Sequence, residues 1–387
     1  MKKVRFGVIG CGYIGKIHAD GIAQAASREF CLSAVSDSQT RLADKFAADY
    51  HVPWFADYRE MMDSGLVDAV IVAVPHYFHP TVTVNAARRG IHVLTEKPMA
   101  VTVGAARAMI RECARRKVAL GVMFQMRFRS NMAAMKKMVD DGAIGEIFRV
   151  QMICSNWYRT QTYYNSGAWR GSWDGEGGGV LLNQAPHSLD LFQWIGGMPR
   201  RVLATLGTRI HKIEVENTAN VILDYGQGRT GYIYATTAEA PGYEQFMVCG
   251  DKGTLVAEGD KLRFAKLKVP LTQHLTTCKE IWGSVPCQWK DVALRPTDQR
   301  HIRVTRNFVG HILRGEKLIA PGASGIGGLE ISNAVYISGY KNKPVELPVD
   351  AAEMDRLLER LSRTRGAGRS LDLRRQANRE FRRLLKN

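Results

Sequence analysis

The segment that most constrains this chain lies at its start, where the apolar run Val4–Ile9 passes directly into Gly10-Cys-Gly12-Tyr-Ile-Gly15. That is the pattern of a strand, a tight turn and a helix. Gly10 permits the turn, Gly12 lets backbone approach a pyrophosphate, and Gly15 lets the helix pack close to the strand. The helix N-terminus, with Tyr13 and Ile14, offers N–H donors and a partial positive charge to phosphates. A lone GxGxxG is a weak signal. Here an acid, Asp37, closes the second apolar run at residues 32–36, where a carboxylate would accept hydrogen bonds from a ribose. Together these features predict a dinucleotide site built from Gly10, Gly12, Tyr13, Ile14, Gly15 and Asp37.

The first third alternates short apolar runs (4–9, 32–36, 69–74, 92–95, 119–123) with helical patterns such as 38–50, 80–89 and 103–117. Regular alternation predicts a parallel, doubly wound Rossmann sheet covered on both faces, over residues 1–125. After a helix at 131–140 come long alternating runs: 148–155, 201–210, 218–224, 230–237, 245–249, 253–257 and 261–264. They predict a second α/β domain, residues 126–350, with a large, mostly antiparallel open sheet. One face of that sheet is free for solvent or for another copy of the chain, so a homodimer or homotetramer is expected. A helix at 187–196 interrupts the runs, 265–300 is an excursion without clear period, and 304–314 and 324–340 read as helical. Residues 351–387 form a tail of leucines interspersed with arginines, predicting one or two amphipathic helices split at 366–368.

A hydrophobic content of 45% excludes a disordered chain. The seven cysteines are scattered, with no CxxC pair and no Cys/His cluster of zinc spacing. No metal site is expected, and reduced thiols point to the cytoplasm. No apolar stretch reaches the roughly 18 residues of a membrane span. Met1-Lys2-Lys3 before an apolar run superficially resembles a signal peptide, but Arg5 interrupts the run and no small-residue cleavage site precedes Lys16. The net charge of +17 is uneven: from Arg356 onward ten arginines and one lysine face three acids. A solvated helix docked on its own or a neighbouring subunit is the simpler reading of this tail, and a surface for anionic membrane or nucleic acid is the other. No nucleic-acid-binding module accompanies it, so no nucleic-acid partner is expected.

Three clusters carry groups able to do chemistry. Glu96-Lys97-Pro98 follows the run 92–95, and in an open parallel sheet the ligand crevice lies at the carboxyl ends of strands. A desolvated lysine there has lowered basicity and exchanges protons with a hydroxyl; a surface lysine in a turn is the competing reading. Val74-Pro-His76-Tyr-Phe-His79 follows the preceding strand and brings both histidines to the crevice, for cofactor contact or for packing. Gly177-Gly-Gly-Val-Leu-Leu-Asn183-Gln-Ala-Pro-His187-Ser-Leu-Asp190 combines glycines that let backbone pass a ligand with Asn183, His187 and Asp190. On a continuous helix these three would share a face. A neutral imidazole suits a general base, although a lone histidine is more often structural. Trp157-Tyr158-Arg159, Tyr163 and Trp169-Arg170 supply aromatic faces and guanidinium groups that suit a sugar, or equally a polar dimer interface. The expected assignments are Lys97, His187 and Asn183 to catalysis, and Val74, His76, His79, Glu96 and Lys97 to the cofactor. Arg127, Trp157, Tyr158, Arg159, Tyr163, Trp169 and Arg170 are assigned to substrate, with Asn183 and His187.

The glycine loop, the Glu-Lys-Pro triplet and the Gly-Gly-Gly…His…Asp segment, in that order, resemble the Gfo/Idh/MocA family over roughly residues 1–350. The resemblance implies an NAD(P)-dependent sugar or polyol dehydrogenase with a Rossmann domain and an open-sheet domain that mediates oligomers. It matches the family lysine to Lys97 and the family histidine to His187. Two departures stand out. The family often has Asp four residues before the histidine, where this chain has Asn183, and Pro-Asn after the third strand, where it has Pro75-His76. The combination of Pro-His-Tyr-x-His-Pro, Trp-Tyr-Arg-x-Gln and Asn-Gln-x-Pro-His resembles a subgroup acting on sugars and glycosides, including oxidation at C3. Asp37 favours NAD over NADP, because a 2′-phosphate would meet a carboxylate; Arg41 nearby pulls the other way. Retention of NAD through an elimination or epimerisation, and a non-catalytic NAD or sugar sensor, are the alternative functions.

Overall fold

Short buried runs of β-branched and aromatic residues build the first sheet: β1 (Val4–Ile9), β2 (Phe30–Ser36), β3 (Trp54–Phe55), β4 (Ala69–Val72), β5 (His92–Thr95) and β6 (Leu120–Val122). The computed structural model describes residues 3–25, 27–296, 300–365 and 373–386. The first six strands are all parallel, in the order β3-β2-β1-β4-β5-β6. Every residue of β4 is fully buried, as expected for a central strand covered on both faces. The order reverses between β1 and β4, and a crevice opens at the carboxyl ends of strands at such a switch point. Helices Tyr13–Gln24, His79–Arg88 and Val103–Arg115 supply the crossovers.

The second sheet has nine strands: β7 (Ile147–Cys154), β8 (Arg201–Gly207), β9 (Thr218–Gly226), β10 (Arg229–Thr236), β11 (Glu244–Gly250), β12 (Gly253–Glu258), β13 (Lys261–Leu267), β14 (Cys287–Asp291) and β15 (Val345–Glu346). Their order is β14-β13-β12-β11-β7-β10-β9-β8-β15, with β7 and β10 parallel and the other neighbours antiparallel. Burial alternates along β8 and β9. Val202, Ala204, Val221 and Leu223 are buried on the face that carries helices Pro186–Gly196 and Gly322–Lys341, while Leu203 and Ile222 on the other face are exposed.

Several expectations are corrected. The run at 69–74 is strand only to Val72, which frees residues 73–75 to turn at the crevice. The two-residue β3 is too short to carry a period. The excursion at 265–300 holds the end of β13, helix Leu271–Thr277 and the exposed edge strand β14. Helix His301–Arg314 returns to the first layer, where Ile302, Val304, Phe308 and Val309 pack in one cluster with Val4, Phe6 and Phe128. The tail forms helices Ala351–Arg365 and Leu373–Lys386; the expected split at 366–368 lies outside the described residues. No helix among the described residues is long and apolar enough to cross a membrane.

Candidate active site

The glycine loop follows β1 at the switch point. Gly10 has φ +100°, and a Cβ there would overlap the Ala73 carbonyl and crowd the Val74 amide, so Val74 borders the loop through its backbone. A Cβ on Gly15 would overlap the Gly10 carbonyl, whereas one on Gly12 would meet nothing within 4 Å. Helix Tyr13–Gln24 starts at Gly12 with no side-chain cap, leaving its first N–H groups for a ligand. Tyr13, in that first turn, is 86% exposed and Ile14 is half-buried. Asp37 accepts from the amides of Cys11 (2.8 Å) and Gln39 (2.8 Å), which holds the carboxylate beside the loop. The cradle fits a dinucleotide: open at Gly12, closed behind it, with an acid at its edge.

The second cluster lies past β5. Glu96 is buried and its carboxylate accepts from the His18 ring at 2.8 Å and from the Lys97 amide at 3.1 Å. Burial alone would raise its pKa, but the hydrogen bond and charge of His18 outweigh that and hold it near about 2. This buried pair ties helix Tyr13–Gln24 to the Lys97 turn, so Glu96 orients the site rather than offering free oxygens to the cofactor. The Lys97 ammonium donates to the Asn183 carbonyl at 2.9 Å. Burial lowers its pKa, opposed by Glu96 and Glu176. His187 is buried against the edge of Phe124, and its Nδ1 has no hydrogen-bond partner among the described residues. Burial, with the Lys97 charge second, drives its pKa down to about 3, so the imidazole is neutral.

Glu176 completes this cluster. Its carboxyl accepts from the Asn183 side-chain amide and from the Gly171 amide (2.8 Å), with Arg170 at 4.0 Å. Burial pushes its pKa up to about 8 against the lowering by these partners. His76, buried, points Nδ1 at the Glu176 carbonyl (3.0 Å), and its ring lies edge-on to Trp169 at 5.7 Å. Burial again lowers its pKa to about 3.

A wall of aromatic and guanidinium groups borders Asn183. The Tyr163 hydroxyl accepts from Arg170 (2.5 Å), Gln184 (3.1 Å) and Asn183 (3.3 Å). Arg170 stacks over Tyr163 (4.4 Å) and Trp169 (4.5 Å), and Arg159 over Tyr163 (4.9 Å) and Trp157 (5.5 Å). Stacking keeps these guanidinium planes in place beside the Lys97 cluster.

Residues 4–124 match the model of the oxidoreductase family with an NAD-binding Rossmann fold, and residues 132–256 match the GFO/IDH/MocA C-terminal domain. The chain belongs to the Gfo/Idh/MocA oxidoreductase family. It is similar to inositol 2-dehydrogenase of Rhizobium meliloti (strain 1021), 26% identical over 352 residues, which span 89% of this chain and 99% of that one. It is similar to D-apiose dehydrogenase of Paraburkholderia graminis, 24% identical, over 91% of this chain and 92% of that one. Among solved structures, the WlbA dehydrogenase from Bordetella pertussis in complex with NADH and UDP-GlcNAcA superposes with a TM-score of 0.76 at 28% identity, covering 90% of this chain and 100% of that one. As a Gfo/Idh/MocA member this protein is an oxidoreductase acting on CH–OH groups, with NAD as its cofactor.

Within that family frame four expected site residues take other parts. Arg127 is fully buried, forks onto Asp190 (2.7 Å from Nε, Nη2 at 2.5 Å) and donates to the Ile319 carbonyl (2.6 Å), so its guanidinium is committed to the core. Asp190 therefore faces Arg127, not the site. The helix is not continuous there: it breaks between Val180–Asn183 and Pro186–Gly196, and Pro186 opens the second helix with His187 in its first turn, as its place in the sequence predicts, so the shared-face condition is not met. His79 has both ring nitrogens at backbone carbonyls, Pro98 and Val74 at 2.8 Å each, and clamps the two crevice turns together. Tyr158 is 47% exposed, and among the described residues its hydrogen bonding is through its carbonyl, which accepts from Arg159. The three glycines serve packing as well: a Cβ at Gly178 would overlap the Tyr336 hydroxyl, and one at Gly179 the Glu216 carbonyl.

Glu176 and Glu216 were not anticipated. Glu216 is buried, accepts from the amides of Gly179 and Leu181 at 3.0 Å each and from Tyr336 at 2.8 Å, and so pins the glycine segment. Burial raises its pKa to about 7. The one available signal for Glu176 was its place directly before the glycine triplet, two residues after Asp174.

Proposed function

We propose that this protein oxidises a secondary hydroxyl of a sugar or glycoside, at C3, with NAD as the acceptor. The observation that carries the reading is the convergence of Lys97, Asn183, Glu176 and His187 beside an arginine-stacked aromatic wall. NAD, which Gly10, Gly12, Gly15 and Asp37 would hold, would supply the hydride acceptor for the carbinol carbon. The remaining work falls to side chains. Lys97, its basicity lowered by burial, takes the hydroxyl proton on Nζ from its neutral amine form, and the ammonium so formed steadies the negative charge developing on the substrate oxygen. Glu176 stands within electrostatic reach of that ammonium, and its ionisation near pH 8 sets how firmly Lys97 holds its proton. Above about pH 8 it supplies the carboxylate that a neutral Asn183 cannot, and below that pH it is a neutral acid. The Asn183 amide, held between Glu176 and Tyr163, orients the reacting hydroxyl. The neutral His187 ring leaves Nδ1 without a protein partner among the described residues, available to a substrate hydroxyl as donor or acceptor according to its tautomer.

Trp157, Tyr163 and Trp169 present faces for the C–H side of a sugar ring, and Arg159 and Arg170 bind its hydroxyls. The relatives named for inositol, apiose and a UDP-sugar complex support a polyhydroxylated substrate. Asp37 selects against the 2′-phosphate of NADP. In this reading residues 1–125 hold the cofactor, residues 126–350 hold the substrate and pair copies through the open sheet face, and residues 351–387 form a basic tail; the protein acts in the cytoplasm. The test is NADH formation by pure protein with NAD and a panel of sugars, polyols and glycosides. Turnover confined to one stereochemical class, abolished by a 3-deoxy analogue of the active sugar, is expected. Equal turnover of the 3-deoxy analogue overturns the C3 assignment, and silence across the panel with NAD bound overturns the dehydrogenase reading.

A further inference from the structure

The two tail helices flank a half-open cavity of about 910 Å³ against helix Val103–Arg115 and the turn after β4. Its volume is in the range of small-molecule sites, typically about 300–1,000 Å³. Its lining is chemically lopsided. Tyr77, Val101, Ala105, Ala108 and Leu358 give it an apolar floor, while seven arginines outnumber the two acids, Asp355 and Glu359. Three of the arginines are satisfied: Arg374 by Asp174 at 2.8 Å, Arg363 by Glu359 at 2.6 Å and Arg356 by Asp350 at 3.4 Å. Arg111, Arg379 and Arg382 are exposed at the mouth, form no ion pair within 4 Å among the described residues, although the charge of Arg382 acts on Asp355, and reach the cavity from two different helices. Guanidinium groups gathered around one cavity repel each other unless an anion joins them, and their planar forks match phosphate oxygens.

We propose that this cavity binds a phosphate-bearing small molecule, its phosphates on Arg111, Arg379 and Arg382 and its organic part on the apolar floor. The cavity is half open to solvent, and a compact ligand can set its organic part on the apolar floor while its phosphates meet the arginines at the mouth; a diffuse basic surface for a polymer or a bilayer is the outcome that the charge-matched control detects. The site is separate from the glycine loop, and the proposal does not depend on which hydroxyl the enzyme oxidises. It is nonetheless joined to the candidate active site. The hydroxyl of Tyr77, a floor residue, donates to the Trp173 carbonyl at 2.7 Å, and Arg374 holds Asp174. Both contacts grip the turn that carries Glu176. Occupancy therefore stiffens the wall behind Glu176.

The test is calorimetric titration of the full chain, with NADH saturating the dinucleotide site, using ATP and inorganic tripolyphosphate as probes. Both are expected to bind, and Arg379→Glu/Arg382→Glu is expected to weaken both at least tenfold. A charge-matched control, Arg360→Glu/Arg383→Glu, changes the same tail outside this cavity and is expected to leave binding within twofold. Absence of binding by both probes overturns the proposal, and so does equal weakening in the control, which would mark a diffuse basic surface. Unfolding midpoints of the two variants without ligand show whether either has lost the tail packing. If Arg379→Glu/Arg382→Glu has, Arg111→Gln on the opposite helix replaces it, with the same tenfold loss expected and unchanged binding overturning the proposal.

Discussion

Replacing Glu176 by Gln tests the electrostatics of the site without needing its substrate. The carboxyl is buried, and its pKa rises from 4.5 to about 8, mainly through burial. That rise corresponds to on the order of 5 kcal/mol of preference for the protonated form in the folded protein. The sign follows from proton counting. Between the unfolded value and about pH 8 the native state keeps a proton that the unfolded chain has released, so stability falls as pH rises through this window. The loss between pH 5 and pH 8 is about 4 kcal/mol from this group alone. Glu216 acts in the same direction and the lowered Lys97 in the opposite one; both are electrostatically coupled to Glu176, so the difference between the two proteins reports the coupled cluster with Glu176 as its largest contributor. Gln keeps the volume but sets one amide end against the Gly171 or Asn183 donors, a pH-independent cost of about 1–3 kcal/mol. Urea unfolding of both proteins, free of NAD, at several values between pH 5 and pH 8 is the assay. The variant should start less stable at pH 5 and gain on the wild type by about 4 kcal/mol by pH 8. Parallel stability curves would refute a buried, proton-holding Glu176.

Three further outcomes follow from the same geometry. Asn183→Asp alone sets a second carboxyl against Glu176 and should lower turnover by at least tenfold, whereas Asn183→Asp with Glu176→Gln moves the carboxylate across the same contact and should recover most of it; steady-state rates of the three proteins decide. Arg127→Ala leaves Asp190 charged and unpaired in the core and should cost about 3–5 kcal/mol in urea unfolding; an unchanged stability with only a raised KM would return Arg127 to the substrate. Asp37→Ala removes the carboxylate beside the glycine loop and should shift the NADP-to-NAD ratio of kcat/KM upward by at least tenfold, measured with both cofactors.

Features set by local stereochemistry were legible in the chain itself. Gly10 and Gly15 sit where any side chain would strike backbone, so the loop declares itself at its own spacing, and the alternating runs of β8 to β12 mark a sheet with one covered face. Lys97 was readable because the carboxyl end of a parallel strand is where the crevice opens. Long-range pairings carry no such local signature. Arg127 meets Asp190 across 63 positions, and before folding its guanidinium looks like any other candidate for a sugar hydroxyl. Glu176 lies in an irregular turn without period, so only the folded chain brings its carboxyl against Asn183 and near Lys97. The glycine triplet was read toward a ligand when its close neighbours are Val101, Tyr336 and Glu216. Glycine reports a close approach but not the identity of what approaches.

The central claim is direct hydride transfer from a sugar carbinol to NAD, with Lys97 taking the proton. Its most direct test is transfer from a substrate deuterated at the reacting carbon, followed by NMR of the recovered cofactor, in wild type and in Lys97→Ala. Deuterium at C4 of the nicotinamide ring in the wild type, with the rate reduced at least a hundredfold in Lys97→Ala and NAD binding unchanged, is the predicted result. Deuterium retained in the product, or transfer at an undiminished rate without Lys97, would contradict it.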